Sequence, residues 1–600
     1  MDTRTSTHRL RIEHVRDALK QRGLAAVLVP SSDPHLSEYL PERWQGRQWL
    51  SGFTGSMGTL VVTLETAAVF ADSRYWVQAE AELAGTGTEL VKIATGTSTQ
   101  HIDWLAEHVP AGRTVGVDGS VLGLAAAATL KQALDRAGVE LDTDVDVLAD
   151  VWPDRPGLPD AKVYEHCAPE APVSRAAKLA AVRDAMARAG ATHHFVSTVD
   201  DIAWLFNLRG SDVNYNPVFL AHALIDAQGV HLFVADGKVD MALQAQLAKD
   251  GVTILPYAQA GAALAALPEG STLLIDPRRV TLGLRGHVVK ANVVEGINPS
   301  TLMKSRKTAD EAAYVRRAME QDGAAMCEFY AWLEGALGQE RITELTIDAH
   351  LSAARARRPG FVGLSFGTIA AFNANGAMPH YRATPESHAV IEGDGLLLID
   401  SGGQYLGGTT DITRVWPIGQ VSDAQRRDYT LVLKGTMALS RTRYPRGTPS
   451  PMLDAIARAP LWAENLDYGH GTGHGVGYFL NVHEGPQSIS RTMAEPQTAM
   501  EPGMITSIEP GLYRPGRWGI RIENLVMNVP SSIDASEFGE FLEFETLTLC
   551  PIDTRCIDRS LLRADEIAWL NAYHAEVRKR LESLVDGAAR GWLVTRTEPI

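Results

Sequence analysis

Acidic side chains stand at the ends of two apolar segments in the C-terminal half of the chain. Asp400 ends the run Leu396–Ile399, and Glu509 ends the run Gly503–Ile508. Strands as apolar as these are predicted to be buried, so the carboxylate at each end lies near the core and needs a partner.

A second carboxylate accompanies each of the first two. Asp411 lies in the strand-like segment TTDITRVW (409–416), and glycine pairs between Asp400 and Asp411 permit a tight return of the chain. A hairpin could therefore place these two carboxylates side by side. Glu523 lies in the sequence GIRIE, on the same predicted strand face as Arg521. Carboxylates held this close repel one another unless a cation lies between them.

Histidines cluster between the two pairs of carboxylates. The segment HGTGHGVGYFLNVHEG (470–485) contains His470, His474 and His483, and its glycines let the backbone approach a site closely. Four carboxylates and an imidazole without a thiolate are typical of a hard divalent-metal site, and carboxylates could bridge two ions. This ligand set favours Mn²⁺, Co²⁺ or Fe²⁺ over a thiolate-type zinc site.

Two other motifs could indicate hydrolase chemistry and are rejected. Ser365 lies in a G-x-S-x-G match, but the residues after it predict a strand and a turn, whereas a nucleophile elbow requires a helix. His483 and Glu484 begin like a zinc-protease motif, but Gln487 stands where the second histidine belongs and Pro486 breaks the required helix.

The motifs resemble those of the pita-bread metallopeptidases. Within that family the chain is similar to the three-domain, eukaryotic-type cytosolic Xaa-Pro aminopeptidases (aminopeptidase P). The segments that carry the resemblance span nearly the whole chain: DSRYW (72–76), WPDRP (152–156), AMPHYRAT (377–384), LLLIDSGGQYLGGTTDITR (396–414), HGTGHGVG (470–477), EGP (484–486), TSIEPG (506–511), GIRIENL (519–525) and LNAYHAEV (570–577).

The chain also contains a weak internal repeat. Residues 15–30 and 182–197 both read as VRDA, a short helix, a glycine and an apolar strand, which predicts two related α/β domains in tandem. A proline-rich linker (152–166) separates them, and a T-x-x-E capping box at Thr308 opens a long helix. With the resemblance, the predicted fold class is α/β and α+β, with two N-terminal creatinase-like α/β domains and a pita-bread catalytic domain that includes a C-terminal extension: residues 1–155, 156–305 and 306–600.

The resemblance assigns five ligands to a dinuclear metal site that usually holds manganese. It implies that Asp400 binds one ion, that Asp411 and Glu523 bridge the two ions, and that His474 and Glu509 bind the second. The implied cofactors are two divalent ions per subunit, most often Mn²⁺.

The resemblance also implies residues that act on the substrate. His380, His470 and His483 would line the substrate cleft. A metal-bridging hydroxide would attack the scissile carbonyl, His470 or His483 would donate to the oxyanion, and Glu509 would carry the proton. The group that protonates the leaving proline nitrogen is left open.

Three further residues are implied with supporting roles. Arg74 in the first domain would reach toward the substrate, in the same subunit or a neighbouring one. The alternative for Arg74 is a local ion pair with Asp72, two residues earlier. Arg521 and Tyr513 are candidates for hydrogen bonds that support the ligating carboxylates.

The implied function is a metal-dependent aminopeptidase that releases the N-terminal residue from peptides with proline in the second position. The alternative is a prolidase, an X-Pro dipeptidase of the same fold. A metal-free relative that acts on a small guanidino compound would lack the ligands, and a non-catalytic binding protein would be expected to have lost some of them. All five ligand residues are present here.

Composition restricts the partners and the compartment. The formal net charge is −16 and no basic stretch is present, so we expect neither nucleic acid nor a membrane as a partner. Four cysteines without a CxxC pair predict reduced thiols. Because the N-terminus has no apolar signal region, we expect a cytoplasmic protein. The resemblance implies a homodimer.

Overall fold

The computed structural model describes residues 3–96, 98–491, 499–533 and 537–600. The chain divides into two compact units: Met1–His166 with Val173–Ser300, and Cys167–Pro172 with Thr301–Ile600. The domain boundaries predicted at 155 and 305 stay predictions. No helix among the described residues is long and apolar enough to cross a membrane.

The first unit is built from short helices and strands that alternate along the chain. Its helices, with the one that crosses into the second unit, are α1 (Thr3–Arg22), α2 (Gly46–Ser51), α3 (Trp76–Leu83), α4 (Gln100–His108), α5 (Leu124–Ala137), α6 (Val147–Val151), α7 (Arg175–Arg188), α8 (Val199–Phe206), α9 (Met241–Lys249), α10 (Ala260–Ala265), α11 (Leu282–Gly286) and α12 (Pro299–Ser305). Its strands are β1 (Ala26–Pro30), β2 (Thr59–Thr63), β3 (Ala67–Ala71), β4 (Glu89–Lys92), β5 (Thr114–Val117), β6 (Glu140–Asp142), β7 (Tyr164–Glu165), β8 (His193–Val196), β9 (Leu208–Arg209), β10 (Ala221–Asp226), β11 (Val230–Val234), β12 (Val252–Pro256), β13 (Thr272–Ile275) and β14 (Asn292–Glu295).

Two six-stranded sheets of the same design form the first unit. Their strand orders are β4-β3-β2-β1-β5-β6 and β12-β11-β10-β8-β13-β14. In each sheet the central strand, β1 or β8, pairs antiparallel on one side and parallel on the other. The two VRDA segments lie in α1 and α7, directly before those strands. The predicted tandem of related α/β domains is therefore confirmed. The linker at 152–166 is irregular except for the short strand β7.

The second unit combines long helices with small antiparallel sheets, so the predicted α+β class is also confirmed. Its helices are α13 (Ala309–Ala336), α14 (Glu344–Ala356), α15 (Asp423–Ser440), α16 (Pro451–Trp462), α17 (Ala564–Leu581) and α18 (Gly587–Arg596). Its strands are β15 (Phe361–Leu364), β16 (Ile369–Phe372), β17 (Gly395–Ser401), β18 (Gly403–Tyr405), β19 (Gly408–Thr409), β20 (Ile412–Ile418), β21 (Tyr444–Pro445), β22 (Gly473–His474), β23 (Ser488–Ile489), β24 (Ile505–Ile508), β25 (Gly511–Arg514), β26 (Trp518–Arg521), β27 (Asn524–Pro530) and β28 (Phe541–Thr546).

The hairpin predicted between the two aspartates is present. Strands β17 and β20 pair antiparallel with Asp400 opposite Thr413, and every residue of both strands is buried. The segment 409–416 is not one strand, however, because β20 begins directly after Asp411. The segment 518–529 is also divided, since the Glu523 N–H donates to the carbonyl of Thr413 (3.2 Å) between β26 and β27.

Candidate metal centre and substrate site

The predicted ligands are carried by five separate segments of the second unit. Asp400 lies in β17 and Asp411 directly before β20, while Glu523 lies between β26 and β27. His474 ends β22, and Glu509 directly follows β24. The strand ends described above therefore bring acidic side chains from distant parts of the sequence to one place.

Three of these side chains lie close enough to share one ion. Ligand atoms of Asp411, His474 and Glu523 all lie within 4.8 Å of one another. The Nε2 atom of His474 is 3.4 Å from Oδ2 of Asp411 and 3.4 Å from Oε1 of Glu509. An imidazole is thus placed among the carboxylates, as a mixed nitrogen and oxygen metal site requires.

The donor set fits a cation because two buried carboxylate oxygens have no hydrogen-bond partner among the described residues. They are Oδ1 of Asp400 and Oε1 of Glu523. The other oxygen of each group is held, since Arg521 Nη2 donates to Asp400 Oδ2 (2.5 Å) and Thr413 Oγ1 donates to Glu523 Oε2 (2.7 Å). Leaving a buried acceptor unsatisfied costs about 1–3 kcal/mol, and a bound cation would remove that cost.

Electrostatics point to the same conclusion. Burial raises the pKa of Asp400 to about 7, with Arg521 opposing the shift and Asp411 adding to it. Burial raises the pKa of Glu509, and it raises the pKa of Glu523 well above its usual range. Burial alone would lower the pKa of His474, but Asp411 and Glu509 outweigh it and raise the pKa to about 9. Such a cluster has an excess of negative charge that divalent cations would neutralise.

Arg521 and Tyr513 link the carboxylates to a histidine of the glycine-rich segment. Arg521 Nη1 donates to the Tyr513 hydroxyl (2.7 Å), which also lies 2.8 Å from Nε2 of His470. Arg521 Nε contacts Thr413 Oγ1 at 3.2 Å, beside Glu523. These contacts are what the supporting role predicted for Arg521 and Tyr513 requires, and that role stays a prediction.

The other two histidines predicted to line the substrate cleft lie on segments near the same cluster. The ring of His483 stands edge-on to the ring of His474, with centroids 4.3 Å apart. His380 is half-buried, and the carbonyl of its neighbour Pro379 lies 3.4 Å from Arg521 Nη2. All three histidines thus lie on segments that contact the predicted ligands or Arg521, and their role toward the substrate stays a prediction.

Comparisons with known proteins identify the family. Residues 313–528 match metallopeptidase family M24, and residues 540–600 match the C-terminal region of that peptidase family. Residues 11–149 and 154–311 each match the creatinase/prolidase N-terminal domain. A probable Xaa-Pro aminopeptidase P of Talaromyces marneffei is 37% identical over 611 residues, which cover 98% of this chain and 92% of the relative. The chain belongs to metallopeptidase family M24.

Two further relatives agree with this assignment for the M24 chain. Aminopeptidase P2 of Arabidopsis thaliana is 36% identical over 617 residues, covering 96% of this chain and 86% of that one. The X-prolyl aminopeptidase of Caenorhabditis elegans, described as a cytosolic enzyme with a di-nuclear active site, matches with a TM-score of 0.93 and 30% identity over 99% of this chain and 100% of its own. The creatinase-like and pita-bread parts of the predicted fold class are confirmed, as is the resemblance to Xaa-Pro aminopeptidases.

Arg74 of this M24 metallopeptidase lies in the first unit. Its Nε and Nη2 atoms donate to the two oxygens of Asp72, each at 2.8 Å. The local ion pair considered from the sequence is therefore present. The role of Arg74 toward the substrate stays a prediction.

Ser365 of the M24 chain is structural. It is fully buried, and its hydroxyl donates to the carbonyl of Thr410 (2.8 Å) on the turn that leads to Asp411. Strand β16 follows it instead of a helix. The strand predicted after Ser365, which was the ground for rejecting a nucleophile elbow, is confirmed.

Two residues that shape the M24 site were missed by the sequence analysis. Ser507 Oγ accepts from the backbone N–H of His474 (2.9 Å) and donates to Glu509 Oε1 (3.1 Å). The sequence could have indicated Ser507, because residues two positions apart in a strand lie on the same face and Ser507 precedes Glu509 by two positions. Arg458 of α16 contacts the loop that carries His470; its spacing of four from Asp454 could have indicated the ion pair between them, but not the contact with the loop.

Proposed function

We propose that this M24 metallopeptidase is an Xaa-Pro aminopeptidase, which removes the N-terminal residue from peptides whose second residue is proline. The observation that carries the proposal is the buried cluster of carboxylates around His474, with two oxygens that lack a hydrogen-bond partner among the described residues. The likeness to enzymes named for this activity extends along nearly the whole chain, which favours this activity over that of a prolidase.

The five proposed ligands have three distinct tasks. Asp411 and Glu523 would be shared between two divalent ions, Asp400 would hold one ion, and His474 with Glu509 would hold the other. When bound, the ions would supply a Lewis acid for the scissile carbonyl and an activated water nucleophile. We propose Mn²⁺ as the metal, because the donor atoms are carboxylate oxygens and one imidazole nitrogen.

The protein's own side chains would orient the substrate and move protons. His483, which lies beside His474, or His470 would donate to the oxyanion that develops on the scissile carbonyl. Glu509 would accept a proton from the nucleophile and return it toward the leaving nitrogen. The leaving group must be protonated, because an amide anion is too unstable to depart.

Proline specificity has a clear chemical basis. The bond before proline is a tertiary amide without an N–H, and the ring fixes φ near −65°. A peptidase that grips the backbone N–H at that position cannot hold this substrate. A site that makes no use of this N–H and accommodates the pyrrolidine ring would accept it.

A panel of four peptides tests the proposed activity. The enzyme loaded with Mn²⁺ should cut X-Pro-Y between X and Pro, cut X-Ala-Y poorly, and leave N-acetyl-X-Pro-Y intact because an aminopeptidase requires the free amine. Cleavage of the dipeptide X-Pro with X-Pro-Y untouched would identify a prolidase. Mass spectrometry of the products reads out each bond, and an Asp411→Asn variant serves as the control for contaminating peptidases.

We also propose that the enzyme is a cytoplasmic homodimer. The relative from Caenorhabditis elegans is described as cytosolic, which supports the compartment. The dimer rests on the resemblance alone. Light scattering of the purified protein would test it, and a mass of one chain, 65.0 kDa, would contradict it.

A further inference from the structure

Arg458 lies on α16, outside the metal cluster, and is 1% exposed. Its guanidinium donates hydrogen bonds to two main-chain carbonyls of the loop that carries His470. Nη1 donates to the carbonyl of Tyr468 (2.8 Å), and Nη2 donates to the carbonyl of His470 itself (2.6 Å). The same guanidinium stacks over the Tyr468 ring, 3.9 Å from its centroid.

Asp454, one helical turn earlier on α16, completes this contact. Its Oδ2 accepts from Arg458 Nε (2.7 Å), and its Oδ1 accepts from the hydroxyl of Thr472 (2.6 Å). Arg458 Nη1 also reaches Asp467 Oδ1 (2.7 Å). The loop is therefore bonded to one face of α16 both before and after His470.

This loop needs an external anchor because glycine flanks His470 on both sides, at 469 and 471. Glycine gives the backbone more conformational freedom than any other residue. The imidazole of His470 contacts the carbonyl of Gly471 through Nδ1 (2.8 Å) and the Tyr513 hydroxyl through Nε2 (2.8 Å). Both contacts depend on the position of the loop backbone.

We propose that Arg458 is a positioning residue for the reaction, which acts through His470 and touches neither the substrate nor the metal ligands. The inference rests on the proposed function. Arginine suits this task because its planar group presents five donors in a fixed fork, and here they reach Asp454 of α16 and three residues of the 467–470 loop at once. The single ammonium group of lysine cannot reproduce that geometry.

A double-mutant cycle separates positioning from mere structural support. Arg458→Lys should lower kcat/KM on X-Pro-Y by about 10- to 100-fold, the scale expected for a misplaced catalytic side chain, with metal content unchanged. His470→Ala should lower it by about 100- to 1,000-fold. If Arg458 acts through His470, the double variant should stay within about threefold of His470→Ala alone. Multiplicative losses, or full activity in His470→Ala, would overturn the proposal.

Two further variants keep the test decisive. Thr472→Val removes the hydroxyl that donates to Asp454 and also contacts the Tyr468 hydroxyl, so it loosens the same loop and should show the same non-additivity with His470→Ala even if Arg458→Lys does not fold. Arg355→Lys is the matched control, because Arg355 is also fully buried in this unit and pairs with Asp322. Its effect, of whatever size, should multiply with that of His470→Ala.

The same data distinguish the two proposals. A folded, metal-loaded wild-type enzyme that leaves X-Pro-Y intact contradicts the proposed function. A wild-type enzyme that cuts X-Pro-Y, combined with additive effects in the cycle, contradicts only the role of Arg458.

Discussion

The imidazole of His474 lies between two carboxylates, and its protonation state links metal binding to pH. In the metal-free protein the pKa of His474 is about 9 and that of Asp400 is about 7. At pH 7 the imidazole therefore carries a proton, and the Asp400 carboxyl holds a proton more readily than an ordinary aspartate does. A metal ion that binds these residues must displace those protons.

We accordingly expect Mn²⁺ binding at pH 7 to release at least about one proton per chain. Affinity should rise as the pH increases from 6 to about 9, because protons compete with the ion below the pKa of His474. Calorimetric titration in buffers of different ionisation enthalpy measures the released protons directly. Binding without proton release would contradict the charge state described here.

Alanine substitutions at the three histidines predicted to line the cleft should have a different effect from a substitution at the predicted ligand His474. His474→Ala should lower metal content, because it removes a ligand. His380→Ala, His470→Ala and His483→Ala should retain metal and lose about 10²–10³ in kcat/KM, the range for removing one oxyanion or positioning donor. Elemental analysis and steady-state kinetics of the four proteins decide this. Metal loss in His470→Ala, with retention in His474→Ala, would show that the ligand is the other imidazole.

Among the secondary-structure elements, β22 (Gly473–His474) carries His474 and therefore sets the position of its imidazole. A Cβ atom on Gly473 would lie 1.9 Å from the carbonyl oxygen of Ser507, so only glycine allows this approach. We expect Gly473→Ala to displace β22, to reduce metal content and to lower the free energy of unfolding by about 1–3 kcal/mol.

Gly335→Ala in α13 is the matched control for that change. A Cβ there meets no atom within 4 Å, and alanine favours a helix over glycine by about 0.5–1 kcal/mol. Denaturant unfolding and metal analysis of both variants should therefore give opposite signs for stability. Equal stability and equal metal content in the two variants would contradict the role assigned to Gly473.

Local signals in the sequence predicted many of these elements. The capping box predicted at Thr308 is present in the structure, because a cap depends on residues three positions apart. The interruption between strands β26 and β27 at Glu523 could not be predicted, because it depends on a backbone hydrogen bond to Thr413, which is distant in sequence. The ligand segments were found through their motifs, whereas the contact from Arg458 to the His470 carbonyl has no local pattern.

Across the whole molecule, all five proposed ligands belong to the second unit. Metal binding should therefore stabilise that unit, by about 4 kcal/mol when the free ion is at 1,000 times its Kd. After chelation, hydrogen exchange should become faster in β17 and β20 and stay unchanged in β1 and β10. Mass spectrometry of peptic peptides resolves these strands, and equal changes in both units would contradict the placement of the metal.

The matching strand orders of the two six-stranded sheets are the expected outcome of a gene duplication followed by fusion. Equivalent positions can therefore be compared within one chain. The turn after β3 holds Arg74, which pairs with Asp72 of the same turn. The turn after the equivalent strand β11 holds Lys238, which pairs with Asp212 from outside the turn. A basic residue stands in the turn of both copies, but its acidic partner comes from the same turn in one copy and from a distant segment in the other, so the duplicated turn is held by a different ion pair in each sheet.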